Sequence, residues 1–438
     1  MAVDILSQAK EETQARDWVF SARPGIWAGA LARREARMLG DLEDLAGRLR
    51  EAGWDWTEKF SLRDCLRRFI ASEHPRKTGL ILHPSFDGWL KQTAALMRTS
   101  RPNAPALKGR VLEFLGFSAA LALEAGETLE GAALLDLSGH FHCHGLPVFR
   151  DFGAAAAGRR IDWRAENGNL SIRGAQGESR RLPMILDRIE INDCDPLIIH
   201  PFVDHSSAYR HEVAHLPAPE STAYAAVLER ALEQISALDK AQFEEIVSDI
   251  RVAVPLENPS NLTSVSSTYD TLHGAIGLSH SEDVIIQAET LIHEFSHNKL
   301  NLLMETNPLF ADSAPSQARF YSPWRKDPRP LRGLLLGAHA FLNTSRFTLA
   351  ALRSMVPLQD AEGERRLMGD ALKTLMRVTG ALRSLSRHGS YTPLGRRILL
   401  AMAKELAVLN EAAASIPADI RTEAEDAVTD HKRLYDPQ

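Results

Sequence analysis

Cysteine is scarce in this chain, and long hydrophobic runs are missing. Only 3 of the 438 residues are cysteine, and they lie far apart without a CxxC pair, at Cys65, Cys143 and Cys194. An odd, dispersed set excludes a disulfide scaffold and a cysteine-type zinc module. It is typical of a reducing compartment, so we expect a cytoplasmic protein.

Three further features of the sequence exclude other classes of protein. The N-terminal stretch MAVDILSQAKEETQARDW has no apolar core of a secretory signal. Charged residues interrupt the apolar stretches well before the roughly 20 residues that a membrane span needs. Acidic residues outnumber basic ones by 57 to 51, whereas a nucleic-acid-binding domain is usually basic. We expect a soluble protein that binds neither nucleic acid nor membrane.

The composition changes twice along the chain, which predicts three regions. Residues 1–126 are rich in Ala, Leu, Arg and Glu with apolar spacing near 3–4, typical of helices. Residues 127–217 alternate short apolar runs with Gly, Pro, Asp and Asn, which predicts strands and a hairpin at Asn167-Gly168. Residues 218–438 are mainly helical. The expected fold class is α+β, mainly α, with a β-rich middle region between two helical ones.

Three local patterns predict where elements begin. Pro84–Gly88 (PSFDG) predicts a turn that leads into a helix. Residues 225–250 predict a helix, and short strands are expected in VSSTYDTLHGAIGLS after it. Thr392-Pro393 predicts a helix start, because proline suits the first turn.

The segment His293–His297 reads HEFSH and matches the HExxH pattern. On a helix, positions i and i+4 share a face, so both imidazoles can bind one metal ion. Ser279 or Ser281, followed by acidic residues, predicts the helix start, and Asn307-Pro308 predicts its end. We expect a zincin-like helix that carries a metal site.

Two other histidine clusters are weaker candidates. His211–His215 also reads HExxH, but Pro217 and Pro219 follow at once and leave no room for a helix, so we interpret it as a chance match. His140–His144 reads HFHCH, and on a strand its three histidines share a face. No acidic residue follows that row closely, and we interpret it as a polar strand or turn rather than a site.

A third ligand decides the metal chemistry. The extension HExxHxxGxxH is absent, because Leu300 and Leu303 occupy its glycine and last histidine positions. Glu305 lies more than two helical turns beyond His297, too far to reach the same ion. The best candidate is His339 in the next predicted helix.

The predicted helix around His339 has two notable faces. Gly333 and Gly337 keep one side thin, which is expected to allow close approach of the HExxH helix. Arg332, His339 and Arg346 stack on one face, with Asn343 beside them. Arginines hold carboxylates in bidentate pairs, so this face suits a dicarboxylate such as 2-oxoglutarate. The alternative is that both arginines form ordinary surface ion pairs.

The segments GAIGLS, ETLIHEFSHNKLNLL and YSPWRKDPRPLRGLLLGAHAF together resemble a known family. It comprises the HExxH-motif proteins of ribosomal peptide natural-product gene clusters, which occur alone or fused to radical-SAM peptide maturases. The resemblance covers roughly residues 260–350. It implies an iron(II)- and 2-oxoglutarate-dependent oxygenase that hydroxylates the β-carbon of residues in a precursor peptide. A radical-SAM maturase of the same pathway is the implied partner.

The resemblance and the residue patterns together give an expected site. The metal ligands are His293, His297 and His339, which leave open iron positions for the keto-acid and for oxygen. Glu294 is expected to orient a ligand or a bound water. The candidates for binding the keto-acid are Tyr321, Arg325, Arg332, Asn343 and Arg346. Trp324 either lines the same pocket or anchors its loop.

Two other function classes stay open. The first is a zinc-dependent metallopeptidase, in which Glu294 is the general base that acts on a metal-bound water. The second is a metal-free binding protein with a relic motif. A requirement for oxygen and 2-oxoglutarate distinguishes the oxygenase from both.

Overall fold

The structure is a computed structural model of the chain. It describes residues 24–51, 62–99, 105–173, 177–203, 211–259, 263–311, 318–354 and 361–436. Within these ranges, no helix has both the length and the apolarity needed to cross a bilayer.

The predicted fold class, α+β and mainly α, is confirmed. The N-terminal region is a set of six helices in the described residues: α1 (Pro24–Glu51), α2 (Leu62–Ala71), α3 (Arg76–Ile81), α4 (Pro84–Thr99), α5 (Pro105–Leu112) and α6 (Phe114–Ala125). The helical character ends at Gly126, whose φ of 66° closes α6 with a left-handed cap.

The middle region contains two small antiparallel sheets. One has the order β1-β4-β5 and the other β2-β3-β6. The predicted hairpin is confirmed, because Asn167 and Gly168 both have positive φ between β4 and β5, as a tight hairpin turn requires. The six strands are β1 (Leu129–Leu134), β2 (His140–His142), β3 (Val148–Asp151), β4 (Arg160–Glu166), β5 (Asn169–Arg173) and β6 (Glu178–Arg181).

A five-stranded mixed sheet forms the centre of the fold, in the order β10-β11-β9-β8-β7. Its strands are β7 (Met184–Ile185), β8 (Ile189–Ile191), β9 (Val252–Leu256), β10 (Ser266–Ser267) and β11 (Ala275–Ser279). The pairs β8–β9 and β9–β11 are parallel. The sheet therefore takes strands from both sides of the boundary expected at residue 217.

Eight further α-helices complete the described part of the chain; the first precedes residue 217, and the other seven belong to the C-terminal region. The bounds are α7 (Pro196–Val203), α8 (Ala218–Leu238), α9 (Lys240–Asp249), α10 (Val284–Thr306), α11 (Leu331–Arg353), α12 (Ala361–His388), α13 (Pro393–Ala412) and α14 (Ala418–Tyr435). The helix predicted over 225–250 is two helices, because Asp239 leaves helical geometry and its side chain caps α9. The start at Thr392-Pro393 is confirmed, with the Thr392 hydroxyl accepting from the Gly395 N–H.

The hydrophobic core does not divide at the boundary expected near residue 126. Phe86 and Trp89 of α4 share one buried cluster with Phe141 of β2 and Trp163 of β4. Gly131 pairs with Trp163 across β1 and β4, and a Cβ there would lie 2.4 Å from the indole. The helical and β-rich regions therefore fold around a common core.

The turn predicted at Pro84–Gly88 is wrong, since these residues form the first turns of α4. Proline needs no N–H partner at a helix start, so Pro84 suits this position. Gly88 packs against α7, where a Cβ would lie 2.5 Å from the Leu197 carbonyl oxygen. The glycine marks a close helix contact rather than a turn.

A buried ion pair ties the first helix to the helix that carries HExxH. Arg34 of α1 is fully buried and donates to Asp87 of α4 at 2.6 Å and to Glu305 of α10. Arg37, one turn later, also donates to Glu305, but its side chain is 39% exposed. Removing one partner from a buried pair leaves an uncompensated charge, whereas an exposed pair contributes little.

We predict that Arg34→Met lowers the free energy of unfolding by about 3 kcal/mol, because Asp87 and Glu305 lose their buried cation. Arg37→Met, the matched control, should lower it by less than about 1 kcal/mol. Urea unfolding of both variants measures the difference. Equal effects would show that burial does not distinguish the two arginines.

Candidate metal centre

The HExxH motif lies on α10, as predicted. The helix begins at Val284 and not directly after Ser279 or Ser281, because the Asp283 side chain accepts hydrogen bonds from the N–H groups of Ile285 and Ile286. It ends at Thr306, and Asn307-Pro308 follows. The whole motif is therefore in regular helical geometry.

The two motif histidines meet. The Nε2 atoms of His293 and His297 lie 3.1 Å apart, with the rings nearly perpendicular. Burial lowers the pKa of both imidazoles to about 4, and the neighbouring His297 contributes to the shift of His293. Both rings are then neutral near pH 7. A separation of 3.1 Å suits either an N–H···N hydrogen bond or two nitrogens that share one ion.

Glu294 points to the edge of the central sheet. Its side chain is buried, and its two oxygens accept from the hydroxyls of Ser266 at 2.6 Å and Thr268 at 2.5 Å. The carboxylate thus joins α10 to β10. Sequence reasoning missed both hydroxyl residues, although their i, i+2 spacing in VSSTYD places them on one face of an extended segment.

A polar cavity of about 730 Å³ opens beside His293. Residues of α8, α10, α11 and α12 line it, and Ser266 of β10 contributes to its wall. The lining residues that carry hydroxyl or charged groups include Arg230, Glu289, Thr290, Thr344, Ser345, Thr348, Arg366 and Asp370. Its volume lies within the usual range for small-molecule sites.

Glu289 lies one helical turn before His293 on the same face of α10. Burial raises the pKa of its carboxyl group to about 7, and the hydroxyl of Thr348, which donates to it, opposes that shift. The cavity therefore holds a carboxyl group that changes charge near neutral pH.

An aromatic chain supports His293 from α11. Phe341 packs edge-on against the His293 ring, with centroids 4.7 Å apart, and Trp324 packs on Phe341 at 5.1 Å. The expectation that Gly337 admits α10 is wrong. A Cβ on Gly337 would lie 2.3 Å from the Trp324 indole, so the glycine makes room for the loop tryptophan. Trp324 is thus a loop anchor, and it contacts the site through Phe341.

The structure does not bring His339 into the histidine pair. In the described residues, no set of three His, Cys, Asp or Glu ligand atoms within 4.8 Å of one another includes His293 or His297. Phe341, which packs against His293, lies two residues after His339. The two side chains are therefore about 200° apart around the helix. Its Nε2 lies 3.3 Å from the Asn343 amide nitrogen. Its role as third ligand stays a prediction.

The predicted keto-acid residues are spread around the fold. Arg325 pairs with Asp327, Arg332 with Asp270, and Arg346 with Asp239, at 2.7–3.0 Å. None of the three arginines is among the residues that line the cavity, whereas Arg230 and Arg366 are.

The remaining two candidates also lie outside the cavity lining. The Tyr321 hydroxyl shares a 2.8 Å hydrogen bond with His431 of α14. The Asn343 amide donates to the His339 carbonyl oxygen at 3.0 Å. Their assignment to keto-acid binding stays a prediction.

The second HExxH match is extended rather than helical. Val213 forms a bridge to Leu256, and Ala214 donates to Pro255, so the segment runs beside the end of β9. Burial lowers the pKa of His211, and the charge of Glu294 opposes that shift. The segment is therefore no second metal helix, yet His211 lies close enough to the HExxH helix to interact with Glu294.

Two of the three histidines in the row have the strand geometry that the alternation predicts, and His144 lies in the turn that follows. His140 and His142 belong to β2, and Asp136 stands close to both. His144 instead shares a 3.0 Å hydrogen bond with the buried Asp195. From the sequence, only acidic residues that follow the three histidines were considered. Asp136 was missed because it lies four residues before His140.

No protein-family model matches the chain, and no curated protein matches it significantly. The arguments for function therefore come from the geometry of the site and from the sequence motifs.

We predict that Glu289→Gln removes a pH-dependent loss of stability. The folded carboxyl group has a pKa of about 7 instead of the ordinary 4.5, so the folded state holds its proton over that window and stability falls as pH rises through it. The variant should exceed the natural protein in unfolding free energy by about 1–3 kcal/mol at pH 8 and by less at pH 5.5.

The matched control is Glu282→Gln, since Glu282 lines the same cavity and its side chain is 88% exposed. Denaturant unfolding of both variants at the two pH values gives the comparison. A Glu289→Gln effect that is the same at pH 5.5 and 8 would contradict the raised pKa.

Proposed function

We propose that the chain is an iron(II)- and 2-oxoglutarate-dependent oxygenase that hydroxylates the β-carbon of residues in a ribosomally made precursor peptide. His293 and His297 are two of the iron ligands. The observation that carries the proposal is the neutral imidazole pair beside a polar cavity.

The pair fits a metal ion. Two nitrogens held about 2.1 Å from one ion, at bond angles of 90–109°, lie about 3.0–3.4 Å apart. The two Nε2 atoms are 3.1 Å apart. Bound iron(II) would activate oxygen, with the keto-acid as the co-substrate that is oxidised. The sequence resemblance, and not the separation of the nitrogens, favours iron over zinc.

The surroundings of the pair hold it in place. Phe341 packs against the His293 ring and limits its rotation. Glu294 fixes the same turn of α10 against β10 through Ser266 and Thr268. These two contacts preorganise the imidazoles, which reduces the cost of ordering them on binding.

The wall of the cavity carries side chains that suit the two carboxylates of the keto-acid. A dicarboxylate needs an arginine near one end, and the arginines at the cavity are Arg230 and Arg366. We therefore add them to Arg325, Arg332 and Arg346 as candidates. Hydroxyls of Thr344, Ser345 and Thr348 supply further donors on the α11 wall.

The edge strand β10 suits a peptide substrate. It stands at one end of the sheet order, and its Ser266 lines the cavity. An extended peptide can add to an exposed sheet edge through main-chain hydrogen bonds, with alternate side chains entering a pocket. A peptide paired with β10 would present one side chain to the cavity beside His293.

We predict that the precursor peptide encoded beside the gene gains the mass of one oxygen atom only with iron(II), oxygen and 2-oxoglutarate together. Succinate should form in equal amount. Mass spectrometry measures both, and either histidine→Ala change at 293 or 297 should abolish them. Peptide cleavage with zinc and without oxygen, lost in Glu294→Gln, would establish the metallopeptidase instead.

The third ligand is tested by comparing two histidines. His339→Ala should lower iron affinity by about tenfold or more if His339 binds the ion. His211→Ala, the matched control beside Glu294, should leave iron affinity unchanged. The reverse result would show that the prediction for His339 is wrong and that His211 occupies the third position. Iron content after gel filtration and a titration with a chelator give the affinities.

A further inference from the structure

We propose that Asp136, His140 and His142 form a second metal site, which binds a first-row divalent transition metal ion independently of the histidine pair on α10. Within the described residues, this is the set of three His, Cys, Asp or Glu side chains whose ligand atoms all lie within 4.8 Å of one another. It does not depend on the proposed oxygenase function.

Strand β2 supplies two of the three side chains of the site. His140 and His142 point to one face, while Phe141 and Cys143 are buried in the hydrophobic core on the other. Phe141 also stacks near Trp163 of β4. The core therefore fixes the strand, and the two imidazoles have no freedom to turn to the other face.

The loop before β2 fixes the carboxylate. Oδ1 of Asp136 accepts hydrogen bonds from the N–H groups of Ser138 and His140, both at 2.8 Å. These hydrogen bonds from the backbone fix the Asp136 side chain at the start of the loop. Oδ2 is directed to the histidines, at 3.0 Å from His142 Nε2 and 3.8 Å from His140 Nδ1.

One nitrogen of the set is left without a hydrogen bond. Nδ1 of His140 is buried and has no hydrogen-bond partner in the described part of the chain. A buried polar atom without a partner is costly, and a missing ion is one of its ordinary explanations. The atom lies on the Asp136 side of the ring, where an ion bound by Oδ2 and His142 would be.

A second carboxylate supports His140 from the neighbouring strand. Asp151 is its cross-strand partner in the β2–β3 pair and lies 3.6 Å from its Nε2. Asp151 is itself held by the Gly153 N–H and by Arg180. Metal-binding histidines commonly present their other nitrogen to a carboxylate in this way.

The ligand types indicate the class of ion. Two imidazole nitrogens and one carboxylate oxygen suit zinc, iron(II) and their neighbours, whereas magnesium and calcium prefer oxygen ligands alone. The three side chains are 7–15% exposed, so an ion can enter from solvent. The competing explanation is a plain histidine–aspartate hydrogen bond, which needs no ion.

Metal stoichiometry of tag-free full-length protein tests the site. The chain is stripped with a chelator, loaded with a small excess of zinc(II), desalted and analysed for metal. A background variant with His293→Ala and His297→Ala removes the α10 pair, and we expect it to retain about one zinc per chain. Adding Asp136→Asn should remove that ion.

Asp136→Asn is chosen because the amide oxygen still accepts the two loop N–H groups, so the turn is kept while the ligand oxygen is lost. Asp162→Asn, on strand β4 of the other small antiparallel sheet, is the matched control and should retain the ion. If Asp136→Asn disturbs the circular dichroism spectrum, His142→Gln replaces it in the same assay.

The outcomes separate this site from the proposed function. A background variant that binds no zinc overturns the proposal, and so does one in which Asp136→Asn or His142→Gln leaves the bound zinc unchanged. If the natural protein binds only the ion that depends on Asp136, the second site is supported and the role of the α10 pair fails.

Discussion

A buried helix that carries polar side chains on several faces must find a partner for each of them, and this requirement organises the C-terminal half of the fold. On α10, Glu294 meets the hydroxyls beside β10, and Asn298 bonds the backbone of Gly274 and Ala275. Lys299 pairs with Glu245 of α9. Because unpaired buried groups are expensive, these contacts set the position of the helix relative to the sheet and its neighbours.

The same requirement explains the shape of the cavity. The polar side of α10 beside His293 faces hydroxyl residues of α11 rather than an apolar surface, and Thr348 donates to Glu289. The apolar side of α10 packs into a separate buried cluster with strands of the sheet, through Ile292 and Phe295. One helix therefore separates a dry core from a polar cavity, and the imidazole pair lies at their junction.

Local sequence patterns were sufficient for elements whose causes are local. The hairpin at Asn167-Gly168, the helix that carries HExxH and the start at Thr392-Pro393 each depend on a few adjacent residues. Long-range pairing is not written in such patterns. The parallel contact of β8 with β9 joins distant segments, and the indole of Trp324 fills the space at Gly337 from a separate loop. Neither the β8–β9 pairing nor the packing of Trp324 on Gly337 can be predicted from composition and residue spacing.

The two histidine clusters show the same limit at the level of the site. The spacing of His293 and His297 predicts their meeting because a helix supplies the geometry. The carboxylate of Asp136 joins His140 and His142 through a loop whose conformation depends on its own hydrogen bonds. Among the described residues, the motif with the stronger sequence signal brings two candidate ligands together, and the weaker one brings three.

The strands of the central sheet have a consequence for modularity. β7 pairs with β8 and β8 pairs with β9, and residue 217 lies between β8 and β9, so α10 rests on a sheet that no cut at that boundary leaves whole. Arg34 adds a second connection, from the first described helix to the far end of α10. Recombination at the apparent composition boundaries would therefore separate α10 from the partners that hold it.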